Sequence, residues 1–223
     1  LSEIEVLLSA RHLSAQRGQT ILFEGVGFEL ARGHWLQVMG PNGVGKTTLL
    51  RMLCGLHPTT PQYVEDANSS AQALSEIRWK NAPITEVKSE FHDELIFLGH
   101  AAGLKEELSA LENVLALCAI HGQALSTQKA LSALQAVGLR GREHLPTRVL
   151  SQGQRRRVAL ARLWVQEATL WVLDEPFVAL DGQGIELLLG LIEAHLRRGG
   201  ALLFTSHQAV SFKAPGAVLE LHA

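Results

Sequence analysis

Two rhythms of apolar positions run along the chain. Residues 4–8, 20–30, 35–39, 77–79, 95–98, 170–173, 201–205 and 218–221 form short runs rich in aliphatic and β-branched side chains, which read as strands. Breaks at Arg17-Gly18 and Ala31-Arg32-Gly33 separate the early ones. The run 35–39 leads straight into Gly40, as a buried strand does before a tight turn. Elsewhere apolar positions recur about every three to four residues. This period predicts a helix over 47–56 that closes at Gly55 near Pro58, and helical structure through 104–139. Within the latter, Leu111, Val114, Leu115 and Cys118 share one face, and Leu131, Leu134 and Val137 share another. Helical character returns over 155–166 and in the stripe Ile185, Leu188, Leu189, Ile192 and Leu196, which stops at Gly199-Gly200.

Strands alternating with helices in the first and last thirds predict an α/β fold with a mostly parallel sheet. The helical middle reads as an inserted lobe, and the polar, unpatterned stretch 61–73 as a surface excursion. At 223 residues, 47% hydrophobic and 19% charged, the chain can bury a large core in one domain with a subsidiary lobe. A formal charge of −2 argues for neither a nucleic-acid partner nor an anionic membrane surface. Arg155-Arg156-Arg157, the only dense basic run, is expected to be a solvated helix face. Cys54 and Cys118 lie in apolar contexts without a nearby metal ligand, which suits buried thiols in a reducing compartment. The ten histidines form no HExxH or paired Cys/His pattern, so no structural zinc is expected. The longest apolar stretch, 114–120, is far below the roughly 20 residues that span a bilayer. No basic-then-apolar leader precedes it. The expectation is a soluble cytoplasmic protein, without direct membrane insertion, that can dock on a membrane partner.

Candidate chemistry begins where the run 35–39 ends. Gly40-Pro41-Asn42-Gly43-Val44-Gly45-Lys46-Thr47 fits G-x-x-x-x-G-K-[ST] between an expected strand and an expected helix. The glycines let the backbone curl until successive N–H groups converge on phosphate oxygens. The helix that follows, with Thr48 in its first turn, presents unpaired N–H groups to the same phosphates. Lys46 is expected to reach the β and γ phosphates of a magnesium nucleotide, and Thr47 to offer its hydroxyl to Mg²⁺. The run 170–173 supplies the second half, because it ends in Asp174-Glu175. A carboxylate at the end of a buried apolar strand is costly unless paired or near a metal. Asp174 is placed to hold Mg²⁺ through water beside Thr47, and Glu175 to orient and deprotonate an attacking water. Taken alone, the two acids fit a plain turn equally well. Ser151-Gln152-Gly153-Gln154, at the start of the basic helix, fits either a second anion-binding surface or an ordinary N-cap.

Five stretches together resemble, in order and spacing, the Walker A, signature, Walker B, D-loop and H-loop motifs of ABC-transporter ATPases. They are 40–47, 150–154, Leu173-Asp174-Glu175-Pro176, Ala179-Leu180-Asp181 and Thr205-Ser206-His207. The resemblance spans nearly the whole chain. It implies a P-loop NTPase with a RecA-like core, an N-terminal antiparallel β subdomain and an inserted helical subdomain. The β subdomain and P-loop core would take about 1–98, the helical subdomain about 99–157 and the remaining core about 158–223 of the numbering. It implies ATP and Mg²⁺ as ligands and a head-to-tail homodimer. In that dimer Ser151, Gln152, Gly153 and Gln154 of one copy complete the γ-phosphate site held by the other's Walker A loop. Asp181 would belong to the D-loop, and His207 would contact the γ-phosphate and help place the water. Three positions depart from the pattern. The Q-loop glutamine is replaced by His100, a poorer Mg²⁺ ligand than an amide oxygen. Near the place of an adenine-stacking aromatic stands Arg17, whose planar guanidinium can stack on a base or lie in an exposed turn. Gln152 occupies the first glycine position of the signature.

Other stretches are similar to one branch of the family, the ATP-binding subunits of cytochrome c maturation. Among them are 97–100, 108–113, 158–164, 170–177 and 206–208. In that branch a histidine at the Q-loop position is expected. The excursion 61–73 is longer than the branch leads one to expect, and little chain follows the last expected strand for a regulatory domain. The branch implies a peripheral ATPase on the cytoplasmic face of the bacterial inner membrane, paired with integral membrane subunits of a cytochrome c maturation complex. It would couple ATP binding and hydrolysis to haem export or to release of the haem-loaded periplasmic carrier. The chain has no C-x-x-C-H, so haem chemistry would fall to the partners. Two other readings remain at this point: the ATPase of another small ABC transporter, and a soluble, non-transport nucleotide switch.

Overall fold

The computed structural model describes residues 5–58 and 75–222, so the excursion expected over 61–73 lies outside the described residues. Strands β1 (Val6–Arg17) and β2 (Thr20–Ala31) form an antiparallel pair, and β3 (Trp35–Met39) leads through the glycine-rich loop into α1 (Lys46–Leu53). Strands β4 (Glu76–Trp79) and β5 (Ala82–Pro83) complete a first sheet in the order β2-β1-β4-β5. A short helix, α2 (Lys88–Asp93), precedes β6 (Leu95–Leu98). Four helices follow: α3 (Ala110–Ile120), α4 (Thr127–Ala136), α5 (Gln152–Leu160) and α6 (Arg162–Val165). The chain then runs through β7 (Leu170–Leu173), α7 (Gly182–Arg197), β8 (Ala201–Thr205) and β9 (Gly216–Glu220). The second sheet, ordered β6-β7-β8-β3-β9, is parallel throughout.

The near-continuous apolar runs of β7 and β8 are explained by burial on both faces of this sheet. On one face Leu36, Val38, Val172 and Leu203 share a core with Leu49, Leu50 and Leu53 of α1 and with Leu7, Leu13 and Phe23 of the antiparallel sheet. On the other, Trp171, Leu173, Leu202 and Phe204 pack with Leu188, Ile192 and Leu196 of α7. The helical middle has a core of its own around Val114, Cys118, Ala130, Leu134, Val137 and Val158. Both cysteines are buried free thiols. Among the described residues no helix is long and apolar enough to cross a membrane.

Three differences from the sequence reading have physical reasons. Strand β1 runs well past residue 8. Its register on β2 shifts around Ala10, Leu13 and Ala15, with His12 at φ +52°, so apolar side chains lose their strict alternation. The helix expected over 155–166 is interrupted at Ala161, which joins α5 to α6. The basic run is not a solvated face: Arg156 is 6% exposed and Arg157 is largely covered, while Arg155 keeps the most water contact of the three. The helical turn carries Arg156 to the face shared with Gly153 and Leu160, where carbonyl oxygens at the ends of β6 and β7 receive its guanidinium.

His195 of α7 is also buried, its ring stacked on Trp171 at 3.8 Å with Nε2 3.2 Å from the carbonyl oxygen of Ala201. Burial pushes its pKa down from 6.5 to about 4. The unfolded chain therefore takes up a proton on this imidazole at a pH where the folded chain resists it. Stability present above pH 6.5 is lost as the solution is acidified towards pH 4. Between about pH 7.5 and 5.5 this group is expected to remove on the order of 1 kcal/mol of unfolding free energy. Urea titrations at the two pH values check this; in His195→Gln that part of the acid slope should vanish.

Candidate active site

The loop after β3 turns back on itself to reach α1. Gly45, which caps α1, stands at φ +105°, and a Cβ there would meet the Phe23 ring at 2.9 Å, so only glycine fits. Lys46 opens the helix, and its Nζ donates to the carbonyl oxygens of Gly40 at 2.7 Å and Pro41 at 3.2 Å. The ammonium thus lies over the loop, held by neutral acceptors that a phosphate oxygen would outcompete as a partner for its charge.

The next residue joins this loop to β7. Thr47 Oγ1 donates to Asp174 Oδ2 at 2.8 Å, and Thr205 Oγ1, at the end of β8, donates to Asp174 Oδ1 at 2.7 Å. Asp174 is 1% exposed, and the two hydroxyls give each carboxylate oxygen a donor. Thr205 Oγ1 also accepts from the backbone N–H of Glu175 at 2.8 Å. Glu175 stands at φ +50° and Ala179 at φ +63°, both in the left-handed region without being glycine. Such conformations cost about 1–3 kcal/mol each and persist only where the surroundings hold them. The Glu175 side chain is 12% exposed, with Oε1 3.3 Å from His207 Nε2 but without an aligned hydrogen bond. His207 is 54% exposed and free to turn towards a ligand.

These residues share one cleft of about 260 Å³, lined by Arg17, Asn42, Gly43, Gly45, Lys46, Thr47, Thr48, His100, Asp174, Glu175 and His207. Small-molecule sites are typically about 300–1,000 Å³, so the cleft is small for a whole nucleotide. Ser151, Gln152, Gly153 and Gln154 do not line it. Ser151 caps α5 in a reciprocal capping box. Its Oγ accepts from the N–H of Gln154, and Gln154 Oε1 accepts from the N–H of Ser151. Gln152 lines a second groove, which His100 and Glu175 also border. Asp181 caps α7: Oδ1 accepts from the N–H of Gly184 at 2.8 Å and pairs with Arg157. The Gly184 N–H, reinforced by Arg157, holds the Asp181 carboxyl below the usual carboxylate range. Arg156 is the site neighbour that the sequence reading misses; its helical phase with Gly153 and Leu160 is the signal that would have found it.

With that geometry in hand, comparison with known proteins gives the class. The ABC transporter family model matches residues 23–178, and the chain belongs to that family as an ABC-type ATPase. It is 46% identical over 215 residues to the "Cytochrome c biogenesis ATP-binding export protein CcmA" of Dechloromonas aromatica, covering 96% of this chain and 98% of that one. The protein of the same name from Nitrosospira multiformis is 47% identical over 198 residues, covering 89% and 90% of the two chains. The resemblance to the cytochrome c maturation branch is thereby borne out.

Among solved structures, a putative ABC transporter ATP-binding protein from Pyrococcus furiosus superposes with a TM-score of 0.76 at 27% identity, covering 96% of this chain and 97% of that one. The dimeric ATP-binding cassette MJ0796, bound to ADP and Pi, matches in fold with a TM-score of 0.74 at 22% identity over 91% of this chain and 88% of that one. The fold expected from the motifs, a P-loop NTPase of the ABC class, is the fold observed.

Thr205→Val tests the hydroxyl bridge. It strips one donor from a buried carboxylate and one acceptor from the Glu175 N–H, so unfolding free energy should fall by about 1–3 kcal/mol. ATP hydrolysis should fall with it; equilibrium denaturation and a phosphate-release assay measure the two.

Proposed function

We propose that the chain is the ATP-hydrolysing subunit of a cytochrome c maturation complex, and that it works as a head-to-tail pair. The observation that carries the pairing is the division of the motifs. One cleft gathers the phosphate loop, Thr47, Asp174, Glu175 and His207, while Ser151 to Gln154 lie elsewhere on the same chain. A second copy, facing the first, would bring Ser151 and Gly153 to the γ-phosphate.

In this reading the N–H groups of residues 42–48 cradle the phosphates of ATP, and Lys46 leaves the Gly40 and Pro41 carbonyls for the β and γ phosphates. Thr47 and Asp174 offer hard oxygen donors 2.8 Å apart, a donor set that suits Mg²⁺, with Asp174 acting through water. When bound, Mg²⁺ would neutralise charge on the β and γ phosphates. Glu175, with an oxygen lacking a hydrogen bond, accepts the proton of the attacking water. His207 contacts the γ-phosphate and orients that water. Arg17, at the edge of the cleft, stacks on the adenine. His100, bordering both the cleft and the groove beside the signature helix, occupies the coupling position instead of glutamine.

The names of the relatives point the energy towards cytochrome c biogenesis and export. The chain would sit peripherally on the cytoplasmic face of the inner membrane, bound to integral subunits, and drive haem export or release of the haem-loaded periplasmic carrier.

Three experiments test this. Glu175→Gln should bind ATP and form a dimer detectable by light scattering, yet hydrolyse it about 10²–10⁴-fold more slowly; near-normal turnover would show that another group is the base. In cells, Lys46→Ala should abolish c-type cytochromes while ATP-linked uptake of other solutes continues, and a pull-down from membranes should recover integral partners. Normal c-type cytochromes in that strain would sink the assignment.

A further inference from the structure

The turn after β7 is held in its unusual shape by one face of α5. Arg156 Nη2 donates to the carbonyl oxygens of Asp174 at 2.8 Å and Glu175 at 3.0 Å, and Nη1 donates to the carbonyl oxygen of Gly99 at 2.9 Å. Three residues earlier on α5, Gly153 has no room for a side chain: a Cβ would lie 2.5 Å from the carbonyl oxygen of Ala179. Of the two left-handed, non-glycine residues of the turn, Glu175 is held through its carbonyl by Arg156, and Ala179 brings its carbonyl close against Gly153 of the same helix.

The chemistry of Arg156 argues against simple space filling. A guanidinium this deeply buried is costly unless its donors and charge are compensated. None of its hydrogen bonds among the described residues goes to a carboxylate, and Nε has no partner. Burial pulls its pKa below the usual guanidinium value, and the nearby carboxylates of Asp174 and Glu175 offset only part of that. The planar fork spans acceptors from two separate strand ends: Gly99, next to His100, and Asp174-Glu175. A lysine, with one nitrogen on a flexible stem, cannot bridge them in that way.

We propose that Arg156 is a positioning residue for ATP hydrolysis. It fixes the left-handed backbone of Glu175, and so the direction of its carboxylate, to the helix that carries Ser151 and Gly153 and to the segment that carries His100. The base is aimed while α5 is seated on the core; displacement of the helical lobe withdraws the hydrogen bonds to Asp174 and Glu175 together and releases the turn. This inference rests on the reading of Glu175 as the base.

The test compares the full chain with Arg156→Lys and Arg156→Gln in Mg-ATP binding, steady-state hydrolysis and thermal unfolding. Both variants should bind ATP within about threefold of the parent and lose about ten- to a hundredfold in kcat at a nearly unchanged KM. In a Glu175→Gln background, slow single-turnover hydrolysis should not fall further when Arg156 is replaced, because the group it aims is gone. Parental kcat in Arg156→Lys, loss of ATP binding in step with kcat, or a multiplicative loss in the Glu175→Gln background would each overturn the proposal. If Arg156→Gln does not fold, the lysine variant decides alone. Near-normal hydrolysis in Glu175→Gln by itself is a separate result, which removes the base assignment.

Discussion

One buried carboxylate organises the site. Asp174 sits at the end of β7 with 1% of its surface exposed, where an unpaired charge would cost several kcal/mol. It is tolerated because Thr47 and Thr205 each donate a hydroxyl to one of its oxygens. Those hydroxyls come from the first turn of α1 and the last residue of β8. Satisfying one acid therefore draws the phosphate loop, β7 and β8 to a common edge of the parallel sheet. Glu175 is fixed by the same network, because its N–H donates to the hydroxyl that serves Asp174.

The adjoining turn stores strain rather than relieving it. Glu175 and Ala179 both adopt left-handed backbone conformations that glycine would accept more cheaply, yet one of them must carry a carboxylate into the cleft. Thr205 of the core holds the N–H of Glu175, while α5 of the helical lobe meets the carbonyls of both residues. This makes the lobe more than an appendage, since α5 touches the core where the candidate base is set. Its own start is locally complete. Ser151 and Gln154 satisfy each other's N–H groups, so the signature residues form a finished helix cap in the single chain. A phosphate brought by a second copy would meet a preformed N-terminus, not a loop that must first be ordered.

Much of this was legible in order along the chain. The phosphate loop lies between a buried strand and a helix start because its glycines and its Lys46-Thr47 pair are local necessities of curling a backbone round an anion. The apolar runs that became β3, β6, β7 and β8 were readable to the residue, since strands buried on both faces are nearly all apolar; Gln37, buried in β3, is tolerated because its amide donates to the carbonyl of Gln208 and accepts from the N–H of Val210. The hairpin of β1 and β2 was harder. Shifts of register around His12 break the alternation on which such a reading depends. The basic triplet misled for a related reason: charge density along a sequence says nothing of helical phase, and the phase turned Arg156 inwards.

What the sequence determined by itself was the list of chemical parts and their order, because each motif is specified by neighbours a few residues away. Only the tertiary structure decided which parts meet. Thr47 and Asp174 are 127 residues apart and touch; Ser151 is 24 residues from Glu175 and stays out of its cleft. Sequence separation carries no information about such distances. They are set by strand order in the parallel sheet and by the need of every buried charge and backbone carbonyl for a partner.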